Sequence, residues 1–239
     1  MDTSGVSILY EGKWRSVHNN IIMKSFVITI EDNLQSQQAA DRCISSGRRY
    51  GVNVEKWKAV TPRDPEFAQK CASAKLEDSS FESQYSRTDN AKACFLSHRS
   101  LWQYSVDNNI PVLILEHDAL FQDRLPPTLT FDRGITLGQP SYGKFKTPVS
   151  LGVSPLVQAD YFKGAHAYII KPPAAEEMLA KVEYFARPTD IYLNILNFPW
   201  LQEYYPWPVR VDDSFTTIQA PAGCLAKHNY RKGIELIEA

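Results

Sequence analysis

The sequence predicts an α/β domain built on a mostly parallel central sheet, and three observations carry that expectation. A compact β-branched run, a helix pattern and a second alternating run follow one another over residues 26–60. Strand, helix, strand in that order is a βαβ unit, whose right-handed crossover returns the chain to a parallel sheet. The run at 110–115 (IPVLIL) is apolar throughout, as a strand buried on both faces must be. The apolar run at 164–170 leads through Lys171-Pro172-Pro173 into another helix pattern, with proline where a helix tolerates it.

Each element follows from its local chemistry. Residues 6–18 read as two short strands around the turn Glu11-Gly12-Lys13, so 1–24 is expected to be an extension ahead of a single domain over 25–239. The strand at 26–30 (FVITI) breaks at Glu31-Asp32-Asn33, and a helix over about 35–50 is closed by Gly51. Residues 52–60 alternate like a second strand. The polar stretch 62–90 is either a long loop or a partly helical excursion. A helix over 91–107 is stopped by Asn108-Asn109, and the strand at 110–115 ends abruptly in Glu116-His117-Asp118. Residues 126–162 are rich in Pro, Gly, Ser and Thr, with one strand expected near 134–137; such stretches are commonly binding loops. A strand at 164–170, a helix over 174–185 and a Pro/aromatic tail complete the chain.

Composition excludes several functions. With 26 basic and 27 acidic residues, the chain has no global field to grip a phosphate backbone or an anionic bilayer, so a large nucleic-acid interface is not expected. Four cysteines share no C-x-x-C spacing, and free thiols are the reading. No apolar run is long enough for a membrane span. Residues 1–10 carry Asp2 and lack a cationic flank, which is not the pattern of a signal peptide. A cytoplasmic protein is the expectation.

Glu116 and Asp118 are the most informative pair. Two carboxylates just past a buried strand sit where open α/β sheets place ligands, and hard cations such as Mn²⁺ or Mg²⁺ take such oxygens together with substrate phosphates. A solvated acidic turn is the plainer reading. His117 could join a metal, contact a ligand or point into the fold. Ser97 and His98 diverge by about 100° on a helix, so they cannot serve each other as nucleophile and base. They either fix the helix beneath the sheet or face a ligand. His166, flanked by Ala165 and Ala167, is either a core histidine or a ligand contact. Asp190, after Pro188, could cap a helix. Trp200, Tyr204, Tyr205 and Trp207 make a stacking surface or simply pack.

Several segments together carry a family resemblance. Cys94-Phe95-Leu96-Ser97-His98 with Leu101-Trp102, Ile114 through Ala119 (ILEHDA), Gly164 through Ile170 (GAHAYII) and Pro188 through Leu193 (PTDIYL) resemble, in order and spacing, motifs of family-25 glycosyltransferases. That family includes lipooligosaccharide and collagen β-galactosyltransferases. Asn33-Leu34 and Arg42 fit its opening segment. The chain departs from the family at His117, which replaces the family's middle acid of the triplet, and at Ala91-Lys92-Ala93.

The resemblance implies a GT-A-like nucleotide-sugar-binding fold and inverting transfer of a hexose, galactose or glucose, from a UDP-sugar to a hydroxyl acceptor, a saccharide above all, with Mn²⁺ or Mg²⁺. Glu116 and Asp118 would hold the metal. Thr29, Asn33, Arg42, Glu116, His117 and His166 would contact the donor. An inverting transfer needs one carboxylate to take the acceptor proton; Asp190 is the first candidate and Asp213, with Asp212, the second. The rival reading is a non-catalytic carbohydrate- or nucleotide-binding module on the same fold.

Overall fold

The computed structural model describes residues 23–84, 86–212, 215–221 and 235–239, together with the backbone of two N-terminal strands. Those strands, β1 (Ser7–Tyr10) and β2 (Lys13–Ser16), pair antiparallel with Tyr10 opposite Lys13. The chain continues through β3 (Lys24–Thr29), α1 (Leu34–Arg49), β4 (Glu55–Lys58), α2 (Phe67–Ser73), α3 (Asp78–Phe81), α4 (Thr88–Asn108) and β5 (Val112–Glu116). Then come β6 (Ala119–Phe121), β7 (Gly134–Thr136), β8 (Gly152–Pro155), β9 (Ala167–Ile170), α5 (Pro172–Phe185) and α6 (Thr189–Tyr192). The final elements are β10 (Leu201–Tyr205), β11 (Val209–Val211), β12 (Phe215–Thr216) and β13 (Glu235–Leu236).

Seven strands form the main sheet in the order β4-β3-β5-β9-β7-β10-β8. β3 lies between β4 and β5 and runs parallel to both, as the βαβ pattern requires. The rest departs from the expected mostly parallel sheet. β9 is antiparallel to β5 and β7, and β8 is antiparallel to β10, while β7 and β10 are parallel. The sheet is therefore evenly mixed. An apolar run announces a buried strand but not its direction, which depends on how its connections return. Here β7 reaches β9 by a long excursion without a crossover helix, so no parallel pairing is imposed.

Local signals set the element ends. Asn33 caps α1, its Oδ1 accepting the Ser36 N–H at 2.9 Å, and Gly51 follows the helix at φ +83°, where a Cβ would be strained. Asn109 ends α4 in the left-handed region at φ +50°. The polar stretch 62–90 resolves into the two short helices α2 and α3.

Alternation along the strands divides the core into two layers. Phe26, Ile28, Ile114, Tyr168 and Ile170 pack toward Leu101 and Trp102 of α4 and Met178 of α5. Val27, Leu113, Leu115, Ala167 and Ile169 pack on the opposite face with Ala40 and Cys43 of α1 and with Phe121. Burial of each large apolar side chain contributes about 1.5–3 kcal/mol, which holds β5 rigidly up to its last residue. At the far edge the fully buried Glu203 of β10 accepts the Val157 and Gln158 N–H groups at 2.6 and 2.8 Å. This fastens the segment after β8 to the sheet. Cys43, Cys71 and Cys94 are free thiols; Cys224 lies outside the described residues. Among the described residues no helix is long and apolar enough to cross a membrane.

Candidate functional site

The chain leaves β3 for β4 on one side and later places β5 on the other. The crevice beyond the carboxyl ends of β3 and β5 is thus a topological switch point, where open sheets of this kind bind ligands. Glu116 is the last residue of β5, opposite Ile28 in register, and its N–H is held by the His166 carbonyl at 3.0 Å. His117 and Asp118 form the turn into β6, and the Asp118 carbonyl accepts the Asp212 N–H at 2.8 Å.

The Glu116 side chain is 31% exposed, and its Oε1 lies 3.2 Å from His98 Nε2. Burial would raise its pKa, but the hydrogen bond from His98 and the neighbouring imidazoles hold it below the ordinary carboxylate value. Glu116 is consequently ionised at neutral pH. The Asp118 charge reaches the thiols of Cys43 and Cys94, which burial already pushes up, Cys43 to about 12. Cys94 and His98, one turn apart on α4, stand with Glu116 so that one ligand atom of each lies within 4.8 Å of the others.

Asp190, on α6, lies near enough to Glu116 to feel its charge. The helix begins at Thr189 with Pro188 before it, so Asp190 lies inside the first turn rather than at the cap position the sequence suggested. Its Oδ1 accepts the Ile191 N–H at 2.9 Å, and its Oδ2 accepts the Tyr142 hydroxyl. Burial raises the Asp190 carboxyl, the Tyr142 and backbone hydrogen bonds lower it, and the Glu116 charge raises it; the net direction is up. Tyr142, unforeseen from the sequence, sits in the Pro/Gly-rich stretch beside Lys163, whose ammonium lies 5.3 Å from the Tyr142 ring centre and 4.9 Å from that of Tyr161. A lone tyrosine in a loop leaves no pattern that could have announced it.

The remaining expected residues are placed as follows. The Thr29 hydroxyl donates to the Val27 carbonyl at 3.0 Å. Asn33 caps α1 and donates to the Glu238 carbonyl at 2.8 Å. Arg42 pairs with Asp212 at 3.8 Å, and Asp213 lies outside the described residues. His117 Nδ1 is 2.8 Å from the Ser36 hydroxyl, and its ring leans on Phe215. His166 is buried between two glycines: a Cβ at Gly138 would come within 2.4 Å of its Nε2, and one at Gly164 within 2.7 Å of its Nδ1. Ser97 ties α4 to the end of β4 by accepting the Val60 N–H at 2.8 Å. Trp200 and Trp207 pack edge-on or tilted against Phe198, Tyr205 and Phe145, and their indole N–H groups donate to Glu177 and Glu203.

Comparison with known proteins falls on this half of the sheet. Residues 23–133 match glycosyltransferase family 25 (LPS biosynthesis protein). The matched segment, just under half of the chain, runs from the start of β3 to the approach to β7. It contains α4 with Cys94 and His98 and the Glu116–Asp118 turn; His166 and Asp190 lie beyond it. No curated protein matches the chain. A solved structure of a mutant Drosophila β-1,4-galactosyltransferase 7, in complex with manganese, UDP-Gal and xylobiose, aligns at 13% identity with a TM-score of 0.34. That alignment covers 65% of this chain and about half, 51%, of the other, a likeness too slight to bear on fold or activity.

Proposed function

We propose that residues 25–239 form a single GT-A-like glycosyltransferase domain that moves a hexose, galactose or glucose, from UDP to a hydroxyl acceptor with inversion. The observation that supports it best is the position of Glu116 and Asp118, at the switch point and inside the segment that matches family 25. Mn²⁺ and Mg²⁺ are held by one or two carboxylates completed by substrate phosphates. Glu116, ionised and partly open, and Asp118, two residues on, supply that donor set. The ion, when bound, would neutralise charge on the departing diphosphate.

Asp190 is the residue to take the acceptor proton. As the acceptor oxygen bonds the anomeric carbon, the bond to the UDP oxygen breaks on the opposite face, and the hydroxyl proton passes to the Asp190 carboxylate. A raised pKa suits that task, because a base near the operating pH both exists ionised and holds the proton well. Tyr142 fixes the carboxylate by its hydrogen bond, so the 126–162 stretch borders the acceptor side.

The test is UDP release from UDP-galactose and UDP-glucose, with and without Mn²⁺ and a panel of saccharide acceptors. Metal-dependent release supports the reading. UDP binding by calorimetry without any release would make the protein a binding module, and absence of both would remove the nucleotide-sugar assignment.

A further inference from the structure

Three buried groups form a hydrogen-bonded chain behind Glu116. Trp102 Nε1 lies 2.9 Å from the Tyr168 hydroxyl, which lies 2.9 Å from His98 Nδ1, and His98 Nε2 lies 3.2 Å from Glu116 Oε1. Trp102, Tyr168 and His98 are 0%, 1% and 0% exposed, so water does not substitute for any of these partners. Among the described residues the Tyr168 hydroxyl has these two hydrogen-bond partners.

The direction of the chain follows from its first member. An indole N–H donates and cannot accept, so Trp102 occupies a lone pair of the Tyr168 oxygen. The Tyr168 hydrogen then has one acceptor left, His98 Nδ1. If Nδ1 carried its own hydrogen, the Tyr168 hydroxyl hydrogen would be buried without an acceptor, a costly arrangement. Burial keeps Tyr168 protonated, raising its pKa well above the ordinary value.

We propose that Trp102 and Tyr168 lock His98 as the Nε2–H tautomer, making it a positioning residue whose N–H aims the Glu116 carboxylate into the crevice. A corollary concerns Cys94, His98 and Glu116, whose spacing would suit a soft metal. A metal on Nε2 needs that nitrogen bare, which would move the proton to Nδ1 and orphan the Tyr168 hydrogen. The chain therefore works against an ion there. The part played in donor binding rests on the proposed transferase reading; the tautomer and the exclusion of metal do not.

Nitrogen NMR of protein labelled at histidine separates the two tautomers, with the His98 signal identified by its loss in His98→Gln. The Nε2–H pattern is expected in the wild type, and the Nδ1–H pattern would overturn the proposal. Titration with Co²⁺ should produce no thiolate-to-metal absorption; a band that disappears in Cys94→Ser would equally overturn it. Tyr168→Phe leaves His98 Nδ1 without its donor and should raise the KM for UDP-hexose about tenfold with little change in kcat, the loss of roughly one well-aligned hydrogen bond. Trp102→Phe, which frees the Tyr168 hydroxyl to turn, serves should Tyr168→Phe not fold. Retention of the wild-type KM in the folded variant would refute the positioning role. A wild type with no transferase activity but the Nε2–H pattern would sink the functional reading and leave the lock standing.

Discussion

Replacing Asp190 by Asn separates chemistry from architecture at the proposed base. The side chain makes two hydrogen bonds, to the Ile191 N–H and the Tyr142 hydroxyl. Asn retains an oxygen for the first. At the second it presents an amide, exchanging a charge-assisted bond of about 1.5–3 kcal/mol for a neutral one of about 0.5–1.5 kcal/mol. The variant also avoids burying a charge, which works the other way. Stability should therefore change by no more than about 1 kcal/mol, or roughly 2–4 °C in Tm for a chain of this size. The effect on transfer is of another order. An amide cannot take the acceptor proton, and loss of general base catalysis costs roughly 10²–10⁴ in rate, about 2.7–5.5 kcal/mol in the barrier. The assay is initial-rate UDP release with saturating donor and acceptor, alongside a thermal melt and donor binding by calorimetry. A folded Asp190→Asn protein that turns over at near wild-type rate would refute the assignment and pass the role to Asp212 or Asp213.

Further outcomes follow from the same geometry. The Tyr142 hydrogen bond lowers the Asp190 pKa against a burial effect that raises it; in Tyr142→Phe the carboxyl therefore protonates at higher pH, and the acid limb of the rate profile should move upward. An unmoved or downward-moving limb would mean that Asp190 is not the titrating base. Asp118→Asn should abolish Mn²⁺-dependent UDP binding in a folded protein; calorimetry showing unchanged affinity and metal dependence would remove Asp118 from the site. Gly138→Ala drives a methyl to within 2.4 Å of His166 Nε2. Overpacking of this kind costs about 1–3 kcal/mol, so Tm should fall by roughly 2–12 °C, and an unchanged melt would show that the imidazole yields freely.

Much of the central framework was determined by the sequence alone. The run at 26–30, the helix closed by Gly51 and the apolar run at 110–115 place β3, α1 and β5 because each carries its own periodicity and its own stop. The acidic pair after β5 was legible for the same reason: charge directly following a buried strand can only emerge at the strand's end. Strand direction beyond β5 was not legible. β9 has the same apolar composition whether it runs parallel or antiparallel, and only the path of the connection decides. The partners of Glu116 and Asp190 were equally hidden. His98 lies 18 residues from Glu116 and Tyr142 lies 48 from Asp190, separations at which no local pattern links two side chains. Tertiary folding made these pairs, because packing α4 against the sheet turns one face of that helix toward the end of β5. It also set the hydrogen bonds of Asn33 to Glu238 and of His117 to Ser36, since a polar atom held near the core must find a partner there.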